Sequence, residues 1–427
     1  MNKIVKITSV LTLAFFTAAG MLAAPAVHAG SVINAPDAHS SAAAASTSTA
    51  KTPTRAEQKA FIRSSANFSI RLFRKTAAGE SGSVMVAPMS VLTAMTMTGN
   101  GAGSGSATLT QMQKVLAGGM KIQKLDRCLQ WWTGRLTSSG SAKIRTANSI
   151  WYRDSGDLTV NDAFLQTNKK YLNAGAYKSS FTNSETVPAM NKWVSDSTDG
   201  MIPSIIETIG DSDMLYLLDA VSFDAVWKDK YDAEQVSKAK FTTADGTKQT
   251  VDMMYSEEMS YISDGRSTGF IKPYKKGYSF VAILPDKGVT VKQYVSGMTG
   301  TKFRKMIRGE KDLFTEAGIP KFSCEYSKNL NSTLQSMGIT DAFNASADFS
   351  QMGTLKNGGL CIGNVLHKTY ITVNENGTRA GAATSVGMNA TSAYTPHKVI
   401  LNRPFVYAII DNHTDLPVFI GTVTSVK

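Results

Sequence analysis

The sequence predicts a domain of mixed helix and strand, with the helices concentrated early and the strands later. Three observations lead there. Phe61, Ala66, Phe68, Leu72 and Phe73 recur at helical spacing. Ile144 to Tyr152, Met214 to Trp227 and Phe280 to Pro285 alternate or stay apolar in the manner of strands. The third observation is the stretch from Val373 to Thr395, whose Gly, Ala, Ser, Thr and Asn composition is that of an exposed connection. At period two it carries a strand pattern. Thr378, Ala380, Ala382, Thr384, Val386, Met388 and Ala390 fall on one side, small and then apolar. Gly377, Arg379, Gly381, Ala383, Ser385, Gly387 and Asn389 fall on the other, with the charge and the glycines. No Pro interrupts the stretch before Pro396, so a ladder could run its whole length. A segment able to be loop or strand has two possible homes.

The chain has 427 residues. Residues 1–29 read as a secretory signal: Lys3 and Lys6 give a positive start, Val10 to Ala19 is mostly apolar, and Val27-His28-Ala29 is an A-x-A-like cleavage site. The apolar run is too short for a comfortable membrane span, and no later run approaches 18 apolar residues. A soluble, secreted, extracellular product is expected. Loss of the signal removes Lys3 and Lys6 and no acid, lowering the formal net charge from +12 to +10. That excess suits anionic surfaces, but no Lys/Arg run of five exists, and nucleic-acid binding has no motif to support it. Cys128, Cys324 and Cys361 are too few for a disulfide scaffold, their odd number leaves at least one thiol free, and their spacing has no metal-ligand pattern.

Residues 30–55 are a low-complexity Ser/Ala/Thr stretch that reads as a flexible tether. Folded structure is expected from Ala56 to the end, 56–427, as a single domain. Val84 to Val86 enter as a strand, Pro88 sets a helix start, and Met89 to Met95 continue as an apolar helix. Gly99 to Gly105 is a Gly-rich turn without a phosphate-binding signature. Met214 to Trp227 is a long apolar strand that carries Asp219, Phe223 and Trp227. Ile271 to Tyr274, Phe280 to Pro285 and Phe405 to Ile410 supply a β-rich second half.

Catalysis finds no support in this chain. Only His367, His397 and His413 lie in the folded part, Gly79-Glu80-Ser81-Gly82-Ser83 lacks the last Gly of a nucleophile elbow, and no H-E-x-x-H occurs. No catalytic residue, cofactor or metal is expected.

Three blocks resemble the serpin family in order and spacing. Glu375, Gly377, Thr378, Ala380, Ala382, Ala383 and Thr384 are similar to the hinge of an inhibitory reactive-centre loop, Val365 to Glu375 to the strand leading into it, and Asn402 to Ile410 to the family's C-terminal strand signature. The likeness extends over about 56–427, with one departure: Ala87 stands where a Ser is usual before the Pro. It implies an α+β serpin fold of three β-sheets with eight or nine helices and an exposed loop over 375–397. It places His367, Ser90 and Asn191 in a polar cluster beneath the central sheet that governs its opening, and Trp227 at the top of that sheet where the loop first enters. It implies a protease inhibitor acting as a suicide substrate: a serine protease cleaves the loop, is held as an acyl-enzyme, and the loop inserts as a central strand.

Compatibility with insertion is read from the residues themselves. The inward set has no charge, and Val386 and Met388 would each gain roughly 1.5 to 3 kcal/mol on burial. Counting from Glu375 along the family's loop puts the reactive bond at Thr391-Ser392. Small residues at Ala390 and Thr391 favour elastase-like targets, while cleavage after Met388 or Tyr394 by chymotrypsin-like or papain-like cysteine proteases stays open. A covalent complex with the target and a monomeric inhibitor are expected. The rival readings are a non-inhibitory serpin serving as carrier or chaperone, and an unrelated surface-binding protein.

Overall fold

The computed structural model describes residues 4–12, 51–136, 142–378 and 397–426. The chain opens with β1 (Ile4–Thr12) and resumes at α1 (Arg55–Ala78). Thr54 starts α1 with a reciprocal cap: its hydroxyl accepts from the Glu57 N–H at 3.2 Å, and the Glu57 carboxylate accepts from the Thr54 N–H at 2.9 Å. The helical spacing seen in the sequence becomes a buried face of Phe61, Phe68, Leu72 and Phe73. β2 (Val84–Val86) leads into α2 (Pro88–Gly99), where Pro88 sits in the first turn and every residue is buried. A helix apolar nearly all round has no solvent face to offer, and α2 is the axle of the helical layer.

There follow α3 (Ala107–Ala117), α4 (Ile122–Thr133), β3 (Ala142–Arg153), β4 (Leu158–Val160), α5 (Asp162–Leu172), β5 (Ala174–Ser179), α6 (Thr186–Ser197) and β6 (Asp213–Val226). The β-rich half comprises β7 (Val236–Thr242), β8 (Lys248–Ser263), β9 (Ser267–Pro273) and β10 (Tyr278–Pro285). Two helices, α7 (Val291–Ser296) and α8 (Gly300–Arg308), precede β11 (Lys311–Pro320) and β12 (Phe322–Asn329). The chain ends with α9 (Asn331–Ser336), β13 (Gly353–Leu355), β14 (Gly359–Asn374), β15 (Gly377–Thr378), β16 (His397–Ile400), β17 (Phe405–Asp411) and β18 (Leu416–Val423). Helices α1 to α5 precede the long run β6 to β10, as the sequence predicts.

Among the described residues three sheets result. The central one has seven strands, ordered β12, β14, then β1 and β15 in one lane, then β6, β3 and β5. The second has nine strands and is joined through the long β8, whose Met253 to Tyr261 stretch pairs with β11 while Ile262 and Ser263 turn to pair with β9. β4 and β13 form a two-stranded ribbon.

β6 shows why the central strands read as continuous apolar runs. Leu215 and Leu217 join the helical core with α1, α2 and α4, whereas Tyr216, Leu218 and Ala220 join the core shared with β10 and β17. A strand covered on both faces keeps its period of two but loses the polar half of it.

β1 is the departure from expectation. Residues read as the beginning of a leader form a strand inside the central sheet, parallel to both β14 and β6. Cys128, Cys324 and Cys361 are buried and none is in a disulfide. Among the described residues no helix is long and apolar enough to cross a membrane.

Candidate functional site

The site is the top of the lane between β14 and β6, where the alternating stretch begins. β14 ends at Asn374, the chain turns over Glu375 and Asn376, and β15 comes back antiparallel, with Asn374 opposite Gly377 and Val373 opposite Thr378. Asn376 N–H donates to Asn374 Oδ1 at 2.9 Å, the local bond that makes Asn a turn former. On its other side β15 pairs with β6, Gly377 with Val226 and Thr378 with Ala225. The chain therefore already enters the central sheet as a strand at Gly377.

Gly377 has no substitute here. Its φ of +149° is a glycine conformation, and a Cβ at this position would lie 2.1 Å from the Ala225 carbonyl oxygen. Thr378 is buried, and its hydroxyl shares a 2.5 Å hydrogen bond with the Tyr274 hydroxyl. Burial raises the Tyr274 phenol well above its ordinary range, so it remains a neutral partner. The inward assignment of Thr378 is thus what the structure has.

Trp227 sits beside this turn. Its indole N–H donates to the Asn374 carbonyl at 2.8 Å and its backbone N–H to the Asn376 carbonyl at 3.1 Å. The fully buried ring stacks on Tyr274, with centroids 4.4 Å apart and planes 7° from parallel. Lys272 Nζ lies 5.7 Å from the Trp227 ring and is paired with Glu258 at 2.6 Å, so the cation beneath the aromatic floor is neutralised. Glu375 reaches Lys321 at 2.7 Å, and this bond holds its carboxyl below the usual carboxylate range. Tyr231 N–H donates to the Glu375 carbonyl at 3.1 Å. Two strands and the segment after β6 therefore hold the turn from three directions.

Lower in the same lane lies the polar cluster. His367 on β14 is buried; its Nε2 accepts from the Ala87 N–H at 3.2 Å, and its Nδ1 has no partner among the described residues. Burial pushes the imidazole down to about 3, so the ring is neutral and carries its proton on Nδ1. Ser90 on α2 donates to the Asp219 carboxyl on β6. Asp219 is buried, and burial, opposed by that bond, pushes it up to about 8. Asp219 and His367 both lie opposite Leu11 of β1, one on each side of the lane.

Asn191 is a correction. It does not join Ser90 or His367. From α6 its amide accepts from the Ile205 and Ile206 N–H groups at 2.7 and 3.0 Å and donates to the Ile206 carbonyl at 2.8 Å. An Asn carries donor and acceptor together, and here both go to the chain leaving the helix. Asp219 takes the place in the cluster that Asn191 was expected to fill. Its signal was present in the sequence as the single charge within Leu217-Leu218-Asp219-Ala220-Val221. Tyr274 and Lys321, the partners of Thr378 and Glu375, had no signal beyond sitting beside Pro273 and Pro320.

The remaining loop residues, hinge members Ala380, Ala382, Ala383 and Thr384, reactive bond Thr391-Ser392 and alternatives Met388, Ala390 and Tyr394, lie outside the described residues.

Comparison with known proteins bears on the whole arrangement. The profile described as Serpin (serine protease inhibitor) matches residues 63–426. The chain belongs to the serpin family. Among curated relatives, Serpin A9 of Mus musculus is 28% identical over 381 residues, covering 84% of this chain and 87% of that protein. The alpha-1-antitrypsin homolog of Cyprinus carpio is 30% identical over 274 residues, covering 62% of this chain and 71% of that protein. Among solved structures, the thermophilic serpin tengpin in its native state superposes with a TM-score of 0.81 at 42% identity, over 88% of this chain and 96% of that one. Thyroxine-binding globulin in complex with thyroxine, at 22% identity, a TM-score of 0.75 and coverage of 86% and 99%, shares the fold.

Proposed function

We propose that this serpin is an inhibitor of serine proteases that works by loop insertion. A protease cleaves the loop at Thr391-Ser392, is retained as an acyl-enzyme, and is carried away as the loop enters the lane between β14 and β6. The observation that carries this reading is β15: Gly377 and Thr378 already pair with both sides of the lane, with a glycine where a Cβ would strike Ala225 and a buried, uncharged Thr next to it. Each further insertion step repeats that geometry with the small, uncharged residues of the inward set.

Small residues on either side of the bond favour elastase-like targets, and the leader-like start of the chain favours secretion. A monomer suffices, since the strand that completes the sheet comes from the same chain. The test is denaturing electrophoresis after mixing the mature protein, residues 30–427, with an elastase, with mass spectrometry of the released C-terminal peptide. A covalent band near the summed mass and a peptide beginning at Ser392 support the reading. Complete cleavage of the serpin by every protease class tried, with the proteases fully active afterwards, overturns it in favour of a non-inhibitory carrier or chaperone.

A further inference from the structure

A cleft of about 940 Å³ opens between the end of α1, the start of α7 and the margin of the second sheet where β2, β10, β17 and β18 end or begin. It shares no residue with the turn at 374–378. Ala77, Val84, Val289, Val291, Val295 and Pro404 supply its apolar walls. Val84, Val291 and Val295 are buried members of the core shared with β10 and β17, and Ala77 and Val289 pack against it, so the cleft is cut into the margin of that core. Its size suits a small ligand, for which sites of roughly 300–1,000 Å³ are usual. The cleft also carries Arg74, Lys75, Lys292 and Arg403. The acid among its lining residues, Glu80, is already engaged: it accepts from Lys328 Nζ at 2.6 Å and from the Tyr326 hydroxyl at 3.1 Å, and Lys328 holds its carboxyl below the usual carboxylate range.

Arg403 decides what kind of ligand fits. It stands just before β17, and its Nη2 donates to the Pro285 carbonyl at 2.7 Å, which fixes the guanidinium at the cleft wall. Its Nη1 is buried and has no hydrogen-bond partner among the described residues. Burial lowers the guanidinium, opposed by the charge of Asp286, yet an arginine stays protonated at any physiological pH. A buried charged donor lacking an acceptor is costly, and a carboxylate oxygen entering from the cleft supplies that acceptor after a small turn of the side chain. Lys75 and Lys292 are exposed at the rim and draw an anion toward the opening. A sulfated glycan or a polyphosphate would meet valine walls that offer it no hydrogen bonds. A ligand with one anionic head and a hydrocarbon body matches both the guanidinium and the walls. We propose that this cleft binds an amphipathic carboxylate of the fatty-acid class, with its head on Arg403 and its chain against Val84, Val291 and Val295. The ligand touches α1, α7 and the sheet margin together, so its binding stabilises the native fold by mass action.

The experiment needs no protease, so its failure leaves the inhibitory reading untouched. The mature protein, residues 30–427, is titrated by calorimetry with decanoate below its micellar range, and with decanol and acetate as probes of the chain and the head alone. Decanoate is expected to bind at one site, at least tenfold more tightly than either. Arg403→Met is expected to weaken decanoate at least tenfold and to leave decanol unchanged. Ala78→Trp, placed at the exposed end of α1 where Ala78 lines the cleft, is expected to weaken decanoate at least tenfold with Arg403 still present. Thermal melts followed by circular dichroism show whether each variant is folded, and they are expected to rise with decanoate in the parent alone. If Arg403→Met does not fold, Ala78→Trp and the decanol comparison decide. No saturable decanoate binding by the parent overturns the proposal. Decanol binding as tightly as decanoate overturns it, since the guanidinium then contributes nothing. Decanoate binding that either folded variant leaves unchanged overturns it as well, because the ligand then sits elsewhere on the molecule.

Discussion

Gly377 and Asp219 are single residues whose chemistry decides what the lane can do. At Gly377 the smallest side-chain addition meets a backbone carbonyl that β6 cannot move without breaking its own ladder. Gly377→Ala should cost about 1–3 kcal/mol of stability, read by thermal or denaturant unfolding, and raise the fraction of serpin cleaved without trapping its protease. Asp219 sets a pH dependence whose sign follows from the direction of its shift. A carboxyl raised from 3.8 to about 8 binds a proton in the fold that the unfolded chain has lost, so its contribution is full below about pH 4 and fades as pH rises to 8. Asp126, on the buried face of α4 and pushed up to about 7 by burial, acts in the same sense over a narrower window. His367, lowered to about 3, acts oppositely, its contribution being lost as pH falls below 6.5. Between pH 7 and 8 Asp219 dominates, and stability should fall by about 1 kcal/mol over that unit. Asp219→Asn should flatten that limb in melting curves recorded across it. His367 and Ser90 were legible as polar residues in the expected segments. Asp219 was visible as a lone charge in an apolar strand, yet its role depends on a neighbour, Ser90, 129 positions away, which no local pattern encodes.

At the scale of elements, the hinge strand β15 is two residues long and depends on what surrounds it. Thr378 is uncharged and 2% exposed, its hydroxyl bonded to Tyr274 beneath the Trp227 ring. Thr378→Arg would force a guanidinium into that space or expel β15 from the sheet. The cost of burying an unpaired charge favours expulsion. The expected outcome is complete cleavage by a protease that the parent traps, with little covalent band on a denaturing gel. The period-two pattern of the sequence placed Thr378 inward, and the pattern worked because β15 is held on both sides and has a true inside. The same reasoning could not find β1. Its residues are apolar enough for a leader and for a parallel strand alike, and an apolar run carries no mark of which use it will have.

For the whole molecule, the helices-first order and the strand-rich second half were legible because each long element buries a face of fixed period. The way the sheets join was not. β8 serves two halves of one sheet through a change of partner at Ile262, a feature of three-dimensional course rather than composition. The buried pair of Lys272 and Glu258 lies at that join, where Tyr231 and Trp227 bring the central sheet against it. Lys272→Met leaves Glu258 without its cation and should cost about 3–5 kcal/mol, read as a drop in chemical unfolding midpoint, with the simultaneous change Glu258→Leu restoring most of it. The short return of the chain at the top of the central sheet has one more consequence. β15 is bonded to β14 on one side and to β6 on the other, so the chain leaving Thr378 starts on the sheet with its first rungs already made. It is like a zip whose slider is already seated on the teeth: the costly step of bringing two edges together is behind it, and each later residue has only to follow.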